Sequence, residues 1–192
     1  VREIDALGGE MALAADATSI QFKYLNTRKG LAVRSSRAQV DRYLYQRRMG
    51  RAASSAEKLR IVEGEAAEII VENGAAVGVL LADGARIRAR ALVITAGTSL
   101  RGTLHTGLDR RSGGGNGAPA ALSLSGSLAQ QGHRLARLKT GTVPRLDGRT
   151  IHWDRLAIQE GDHPGGRFSF AGPPSALPQV RCHITATNGA TH

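Results

Sequence analysis

The clearest pattern along the chain is an alternation of apolar and polar positions between about residues 60 and 90. Two turn sequences divide it, because Asn73-Gly74 is the strongest short signal for a β-hairpin and Asp83-Gly84 is a second signal of the same kind. The arginines of "ARIRARA" (85–91) then fall on alternate positions, as in a strand with one solvent-exposed face. We therefore predict a half-exposed antiparallel meander here.

The pattern changes in "ALVITAG" (91–97), which is apolar on both faces. Such a run predicts a buried parallel strand that Gly97 ends. Ligands of open α/β sheets bind beyond the carboxyl ends of the strands, and a glycine there removes the Cβ that would block a nucleotide. The hydroxyls of Thr95 and Thr98 could add hydrogen bonds, although a glycine after a strand often marks only a turn. The fold class predicted from these patterns is α/β.

The first fifty residues predict shorter elements. Apolar positions within residues 4–13 indicate a short helix, and residues 20–35 are expected to form a loop with at most a short strand. Ser36 and Gln39 have the spacing of a capping box, which predicts a helix from residue 36.

The glycine-rich second half predicts little regular structure. A short helix is expected around "LSGSLAQQG" (124–132). The sequence "GGGNG" (113–117) lacks the strand and helix that surround a dinucleotide-binding glycine motif, so a flexible loop is expected. Four of the six prolines lie after residue 150, where loops with short strands are expected.

The excess of basic over acidic residues indicates which class of binding partner the chain favours. The chain has 26 Lys and Arg against 16 Asp and Glu, for a formal net charge of +10. This excess favours a polyanionic partner, because phosphates gain from charge pairing and counterion release. An ordinary solvated, arginine-rich surface is the alternative.

Cysteine and histidine usage argues against disulfide and metal chemistry. Cys182 is the single cysteine, so neither an internal disulfide nor a cysteine zinc set is expected. Its β-branched neighbours indicate a packed, inert thiol. The histidines show no metal spacing, and we expect surface or structural roles for His105, His133, His152, His163, His183 and His192.

No stretch approaches the roughly 18–20 apolar residues that span a bilayer, and residues 1–16 lack the layout of a signal peptide. We therefore expect a soluble, cytoplasmic protein. Because the chain opens with Val1 rather than Met, we expect it to be a section of a longer protein.

Several stretches resemble one family in the same order along essentially all 192 residues. They are "VREIDALGGEMALAADATSIQFKYLNTRKGLAVRSSRAQVDRYLY" (1–45), "ITAGTSLRGTLHTG" (94–107), "SGGGNGAP" (112–119), "RLKTGTVPRLDGRTI" (137–151) and "FSFAG" (168–172). The chain is similar to the glucose-inhibited division protein A family (GidA/MnmG). The resemblance implies a flavoprotein that, with a GTPase partner, installs the 5-carboxymethylaminomethyl group on the tRNA wobble uridine. It also implies FAD, NADH and methylenetetrahydrofolate as cofactors, and a homodimer.

The fold implied by the resemblance is a partial Rossmann-like FAD-binding domain over residues 1–141, which contains the meander. The start of an inserted second α/β domain, on the NADH side, is expected over 142–192. The family's pyrophosphate glycine motif and its two functional cysteines have no match in these residues. No catalytic residue is therefore assigned, and the chain alone is not expected to catalyse.

The resemblance carries over a small set of cofactor-binding positions. The strand end near FAD is matched by Thr95, Ala96, Gly97 and Thr98. Ala66 matches a position whose backbone touches the flavin nucleotide. Ala121 stands where some relatives have a serine that contacts FAD, so its side-chain contact is missing here.

Two groups of basic residues are candidate anion contacts. Arg34 and Arg37 flank the N-terminus of the helix predicted from residue 36, a place that suits phosphate or carboxylate. The second group comprises Arg134, Arg137, Lys139, Arg145 and Arg149. Contact with the tRNA backbone, or with an anionic cofactor such as folate or NADH, is one interpretation, and ordinary solvated charge is the other.

Two further functions stay open. The related folate- and FAD-dependent tRNA uracil methyltransferases share the meander, although they have a shorter insertion than the 150–192 segment indicates. A non-catalytic fragment that binds tRNA or a partner through its basic surface is the second possibility.

Overall fold

The computed structural model describes residues 1–162 and 166–192, so His163 lies outside the described residues. The helices are α1 (Arg2–Ala6), α2 (Glu10–Thr18), α3 (Arg42–Ser54) and α4 (Leu122–Gln130). The strands are β1 (Ser19–Leu25), β2 (Ser35–Val40), β3 (Ala66–Glu72), β4 (Ala75–Leu81), β5 (Arg86–Arg88), β6 (Thr103–Thr106), β7 (Asp109–Ser112), β8 (Ala157–Gln159) and β9 (Cys182–Ile184).

The described residues form two compact units of mixed α/β structure. Unit 1 consists of Val1–Ile61 with Leu146–His192, and unit 2 of Val62–Arg145. Their small sheets are antiparallel, with strand orders β1-β2 and β8-β9 in unit 1, and β3-β4-β5 and β6-β7 in unit 2. The expected domains over 1–141 and 142–192 concern a longer protein and stay a prediction.

Unit 1 is built around α2 and β1. Ala12, Ala14 and Ala15 are buried on α2, where small side chains allow close packing. Phe22 of β1 is also buried, and its ring meets that of Phe168 edge-on at a centroid distance of 5.5 Å. The expected single helix over residues 4–13 is instead the pair α1 and α2, separated at Gly8, whose φ of +85° no continuous helix allows.

The helix predicted from residue 36 is wrong over its first turn and a half. Residues 35–40 form β2, which pairs with the seven-residue β1, and Lys23 lies opposite Arg37. The helix begins only at Arg42, where the side chain of the N-cap Asp41 accepts the Leu44 N–H at 2.9 Å. The Ser36–Gln39 spacing is a local signal, and the hydrogen bonds offered by β1 override it.

The predicted meander in unit 2 is confirmed. Ile69 of β3 lies opposite Val79 of β4, which in turn lies opposite Ile87 of β5. Both turn residues between β3 and β4 have positive φ, +51° at Asn73 and +77° at Gly74, as a two-residue hairpin turn requires.

The predicted helix over 124–132 is confirmed as α4, which packs on β3. The core of unit 2 consists of Ile69, Leu124 and Leu128. The buried backbone N–H of Ile69 donates to the Ser127 hydroxyl at 2.9 Å. Since β3 is an edge strand within the described part of the chain, this side chain supplies an acceptor that no described strand provides.

The apolar run 91–97 is not the buried strand that its pattern predicts. Within the described residues no strand pairs with it, and the nearest parallel bridge joins Leu100 to Ala121. Val93 is 82% exposed and Ile94 41%, whereas Leu92 packs partly against the core. Without a pairing strand on either side, the run lacks the hydrogen bonds that define a strand.

The segment after residue 150 has loops with two short strands, as predicted. β8 pairs with β9, with Gln159 opposite Cys182. The backbone N–H of Val180 donates to the Ile20 carbonyl at 2.7 Å. The segment is thereby fixed to β1 within unit 1.

Candidate functional site

The best-defined candidate site in unit 2 is a loop that follows the predicted strand end. The Ala121 N–H donates to the Ser99 carbonyl at 2.8 Å, and the Arg101 N–H donates to the Ala121 carbonyl at 3.1 Å. The Gly115 N–H donates to the Thr98 hydroxyl at 3.2 Å. Residues 98–102 are therefore bound to the start of α4 and to the glycine-rich segment that precedes it.

The first two glycines of "GGGNG" are packed, whereas Gly115 and Gly117 are exposed, so the expectation of a flexible loop is corrected only for the start of the segment. Gly113 and Gly114 are buried, and the Gly114 N–H donates to the Ala118 carbonyl at 2.7 Å. A Cβ at Gly114 would meet the Ser99 side chain, and one at Gly102 would meet the carbonyl oxygens of Gly113 and Thr98. These glycines allow two backbone segments to touch.

The four predicted strand-end residues lie on an accessible bend. Thr95, Gly97 and Thr98 are exposed, and Ala96 is half-buried. Gly97 has φ +56°, and a Cβ built on it meets nothing within 4 Å. Glycine therefore serves a left-handed backbone at this position, and the space above it is open.

The other two predicted cofactor positions lie against the same core. Ala66 is the first residue of β3, opposite Leu81, and packs partly against the core of unit 2. Ala121 is half-buried, and both of its backbone polar groups are used by the 98–102 loop. Leu100, which bridges Ala121, packs against that core too. Ala66, Ala121 and the 98–102 loop are thus brought together.

Arg34 and Arg37 do not flank a helix N-terminus, because β2 replaces the predicted helix start. The Arg34 guanidinium lies 5.0 Å from the centroid of the Tyr24 ring. Arg37 lies on β2, and its Nη2 donates to the Gln21 side-chain oxygen at 3.3 Å. Its Nε is buried with no hydrogen-bond partner among the described residues. Arg37 therefore retains an unused donor.

A carboxylate lies beside this pair. The Tyr24 N–H donates to Asp162 at 2.6 Å, and the Lys23 ammonium lies 3.1 Å from its other oxygen. The hydrogen bond from the Tyr24 backbone, together with Lys23 and Arg34, holds the pKa of Asp162 below its usual value, and burial opposes the shift only partly.

The basic group at 134–149 is divided between the two units. Arg137 donates from Nη1 to the Arg101 carbonyl and the Thr103 hydroxyl, both at 3.3 Å, which attaches this side chain to residues 101–103 of unit 2. Lys139 and Arg145 are exposed in unit 2. Arg149 belongs to unit 1, where Asp147 neutralises it through a 2.6 Å ion pair that also lowers the pKa of Asp147.

A polar cluster in unit 1 was not predicted. Gln21 is 1% exposed, and its amide nitrogen donates to the carbonyls of Gln159 and Val180, each at 3.2 Å. The Cys182 thiol lies 3.3 Å from the Gln21 side-chain oxygen and 3.1 Å from that of Gln39. A period-two pattern could not have indicated this burial, because Gln21 and its neighbour Phe22 are both buried, and residues 20–35 were expected to be mostly loop.

Within residues 1–162 and 166–192, no three His, Cys, Asp or Glu side chains converge as metal ligands would. Over the same ranges, every helix is too short or too polar to cross a bilayer.

Comparisons with known proteins cover the whole chain. The model of the family described as glucose inhibited division protein A matches residues 1–192. The tRNA uridine 5-carboxymethylaminomethyl modification enzyme MnmG of Syntrophotalea carbinolica is 49% identical over 192 residues, which is all of this chain and 31% of the relative. The MnmG of Geotalea uraniireducens is 47% identical over the same span and the same share.

Solved structures agree with the sequence comparison. The Aquifex aeolicus GidA structure in its form I crystal matches with a TM-score of 0.85 and 43% identity, over 95% of this chain and 31% of that one. The form II crystal gives a TM-score of 0.84 at the same identity. The chain spans about a third of the length of these relatives.

Proposed function

Because this chain belongs to the glucose-inhibited division protein A family, we propose that it is a section of an enzyme that installs the 5-carboxymethylaminomethyl group on the tRNA wobble uridine. The observation that carries the proposal is the match over all 192 residues, at 49% identity, to a relative named for this modification. In the proposed whole protein FAD, NADH and methylenetetrahydrofolate are the cofactors. A GTPase partner and a homodimer complete the assembly.

The residues of unit 2 fit FAD as the cofactor. A nucleotide needs a backbone it can approach closely, and the open space above Gly97 offers one. Thr95 and the backbone of Ala96–Thr98 would hold the cofactor there, with Ala66 and Ala121 as small neighbours. When bound, the flavin supplies the hydride chemistry, and the protein supplies position and electrostatics.

The exposed apolar run 91–97 supports the proposed Rossmann-like domain. In the whole protein, strands outside this section would pair with it and cover Val93 and Ile94, which are exposed here. The proposed domain of 1–141 and the inserted domain that begins at 142 belong to this arrangement. A half-exposed antiparallel meander followed by an apolar strand is a pattern typical of such a Rossmann-like domain.

The basic residues fit an anionic substrate or cofactor. Arg37 has a buried Nε that lacks an acceptor within residues 1–162 and 166–192, and Arg34, three residues before it, holds its guanidinium over the Tyr24 ring. Arg137, Lys139 and Arg145 add positive charge in unit 2. We assign these five residues to phosphate contacts, because guanidinium and ammonium groups bind phosphate oxygens strongly.

The alternatives rank lower. The relatives described above are named as 5-carboxymethylaminomethyl modification enzymes over the whole chain, which favours that chemistry over the methyltransferase one. A non-catalytic tRNA-binding role is the second alternative. It would apply if the chain binds tRNA but the chimera that contains it does not modify tRNA.

A chimera tests the proposal. The Geotalea uraniireducens enzyme, with its matching segment replaced by residues 1–192 of this chain, is expressed in a bacterium that lacks its own enzyme. We expect the modified wobble uridine to return in the tRNA nucleosides, measured by mass spectrometry. The unaltered Geotalea enzyme is the positive control. A folded chimera that carries no flavin and modifies no tRNA would overturn the proposal.

A further inference from the structure

The helix α3 presents a face that the proposed function does not use. Its sequence, "RYLYQRRMGRAAS", contains four arginines and no acidic residue. Arg48 is turned toward α2, where Glu10 neutralises it through a 2.8 Å ion pair. The outward positions Tyr43, Arg47 and Arg51 are all exposed and follow each other at intervals of four residues, so they form one stripe along the helix.

The stability of the helix explains this stripe only at Arg51, which lies in the last turn and favours the helix dipole. Like charges four residues apart, as at Arg47 and Arg51, destabilise a helix, and no carboxylate among the described residues pairs with either. Gly50 lies between them and weakens the helix further. A surface that served only solubility would mix both signs of charge.

The stripe also carries an exposed aromatic ring. Tyr43 is 67% exposed, and the Arg47 guanidinium lies 5.6 Å from its ring centroid. Exposed aromatic rings and guanidinium planes are the groups on which unpaired bases stack, while arginines bind the neighbouring phosphates. An acidic protein partner would be attracted by the arginine charges, but its affinity would gain little from the exposed tyrosine ring.

We infer that the Tyr43–Arg47–Arg51 stripe of α3 is a binding surface for the phosphate backbone and an unpaired base of RNA. The inference rests on the proposed function, because it takes tRNA as the RNA concerned. It gives a binding role to three residues of unit 1 for which neither the sequence patterns nor the family resemblance indicated one. Arg47 and Arg51 bind phosphates, and Tyr43 stacks a base.

The test measures binding of the 192-residue chain to a fluorescently labelled tRNA transcript by polarisation, over a series of salt concentrations. For Arg47→Gln with Arg51→Gln, we expect roughly tenfold weaker binding and a salt slope of log K that is smaller by about 1.5. The matched control is Arg110→Gln with Arg111→Gln, an exposed pair on β7 that removes the same two charges from the formal +10. We expect the control pair to change binding no more than about twofold, as charges outside the contact are screened.

Tyrosine variants test the stacking step. Tyr43→Ala should weaken binding about fivefold without changing the salt slope, whereas Tyr43→Phe keeps the ring and should bind as the native chain does. Melting temperatures within about 2 °C of the native chain would exclude unfolding as the cause.

The outcomes separate this inference from the proposed function. If the native chain binds tRNA and the two arginine pairs weaken binding equally, the stripe is not the contact and the proposed function is unaffected. If the native chain binds no RNA at any salt concentration, both the stripe and the tRNA contacts proposed for this section are overturned. Loss of affinity confined to the stripe variants supports the inference.

Discussion

The buried carboxylate of Asp16 on α2 accepts the backbone N–H of Ser169 at 2.7 Å, across 153 residues of sequence. The same carboxylate accepts the N–H of Phe168 at 2.8 and 3.0 Å, and Asp5 accepts that of Phe170 at 2.8 Å. Three successive backbone donors of the "FSFAG" segment are thus satisfied by carboxylates of the first two helices. The fold of unit 1 depends on these long-range bonds, since the segment has no helix or strand of its own.

Replacement of Asp16 by Asn should destabilise unit 1. The Asn side chain keeps the shape of Asp but has no negative charge to strengthen the hydrogen bonds. Its NH2 group would also face backbone N–H donors. We therefore expect the free energy of unfolding to fall by about 1.5–3 kcal/mol. Trp153, the single tryptophan, lies in unit 1 and reports its unfolding in urea by fluorescence. Asp109→Asn, at an exposed position of β7 in unit 2, is the control and should shift the transition by less than about 0.5 kcal/mol. Equal effects of the two variants would contradict this account.

Ser127→Ala should weaken the attachment of α4 to β3. The substitution leaves the buried N–H of Ile69 without its acceptor, which costs about 1–3 kcal/mol. Amide hydrogen exchange at Ile69 measures the free energy of local opening directly. Ser123→Ala, at an exposed position one turn earlier on the same helix, should leave that exchange unchanged. Unchanged exchange in Ser127→Ala would mean that the hydroxyl does not hold this amide.

Local signals predicted some elements of this fold and failed for others. Asn73-Gly74 determines its own turn because both residues adopt positive φ without help from the rest of the chain. Ser36 and Gln39 also form a local signal, yet β1 supplies backbone partners that make their segment a strand. The difference is that the second signal competes with long-range hydrogen bonds, which periodicity does not reveal.

The candidate site was predicted only in part for the same reason. The glycine at position 97 could be found from the end of an apolar run, and its φ of +56° gives it a physical role. The packing of Gly102 against Gly113, and the attachment of Ala121 to Ser99, join segments that are far apart in the chain. The predicted helix already contained Tyr43, Arg47 and Arg51, but only its packing against α2, through Arg48 and Glu10, shows which face is exposed.

A pair of glycine substitutions in unit 2 should have opposite effects. Gly74 has φ +77° in the β3–β4 turn, so Gly74→Ala should lower stability by about 1–2 kcal/mol. Gly126 is an exposed helical position of α4 with nothing within 4 Å of an added Cβ, so Gly126→Ala should raise stability by about 0.5–1 kcal/mol. Hydrogen exchange of the Ile69 amide measures both. The same sign for the two variants would contradict the backbone assignments.

Unit 1 should lose stability at acid pH partly through Asp162. Its pKa is lowered in the folded state by the Tyr24 backbone N–H and by Lys23, so the stabilisation is present above the unfolded pKa of about 3.9 and is lost as the pH falls through the lower, folded value. Asp162→Asn should therefore flatten the dependence of urea stability on pH below about 4. Trp153 fluorescence at a series of pH values measures it, with Asp109→Asn as the control. The effect is modest, because the side chain is 38% exposed to solvent.

Gly97→Ala tests the cofactor position against a matched backbone control. Gly97 and Gly107 are both exposed residues of unit 2, with φ of +56° and +59°, and neither has any atom within 4 Å of an added Cβ. Alanine should therefore strain both positions alike, by about 1–2 kcal/mol. Only Gly97 lies at the proposed FAD contact, so the Geotalea chimera with Gly97→Ala should lose most of its bound flavin, measured by absorbance, while Gly107→Ala keeps it. Equal flavin content in the two variants would show that the bend at Gly97 is a turn and not a cofactor contact.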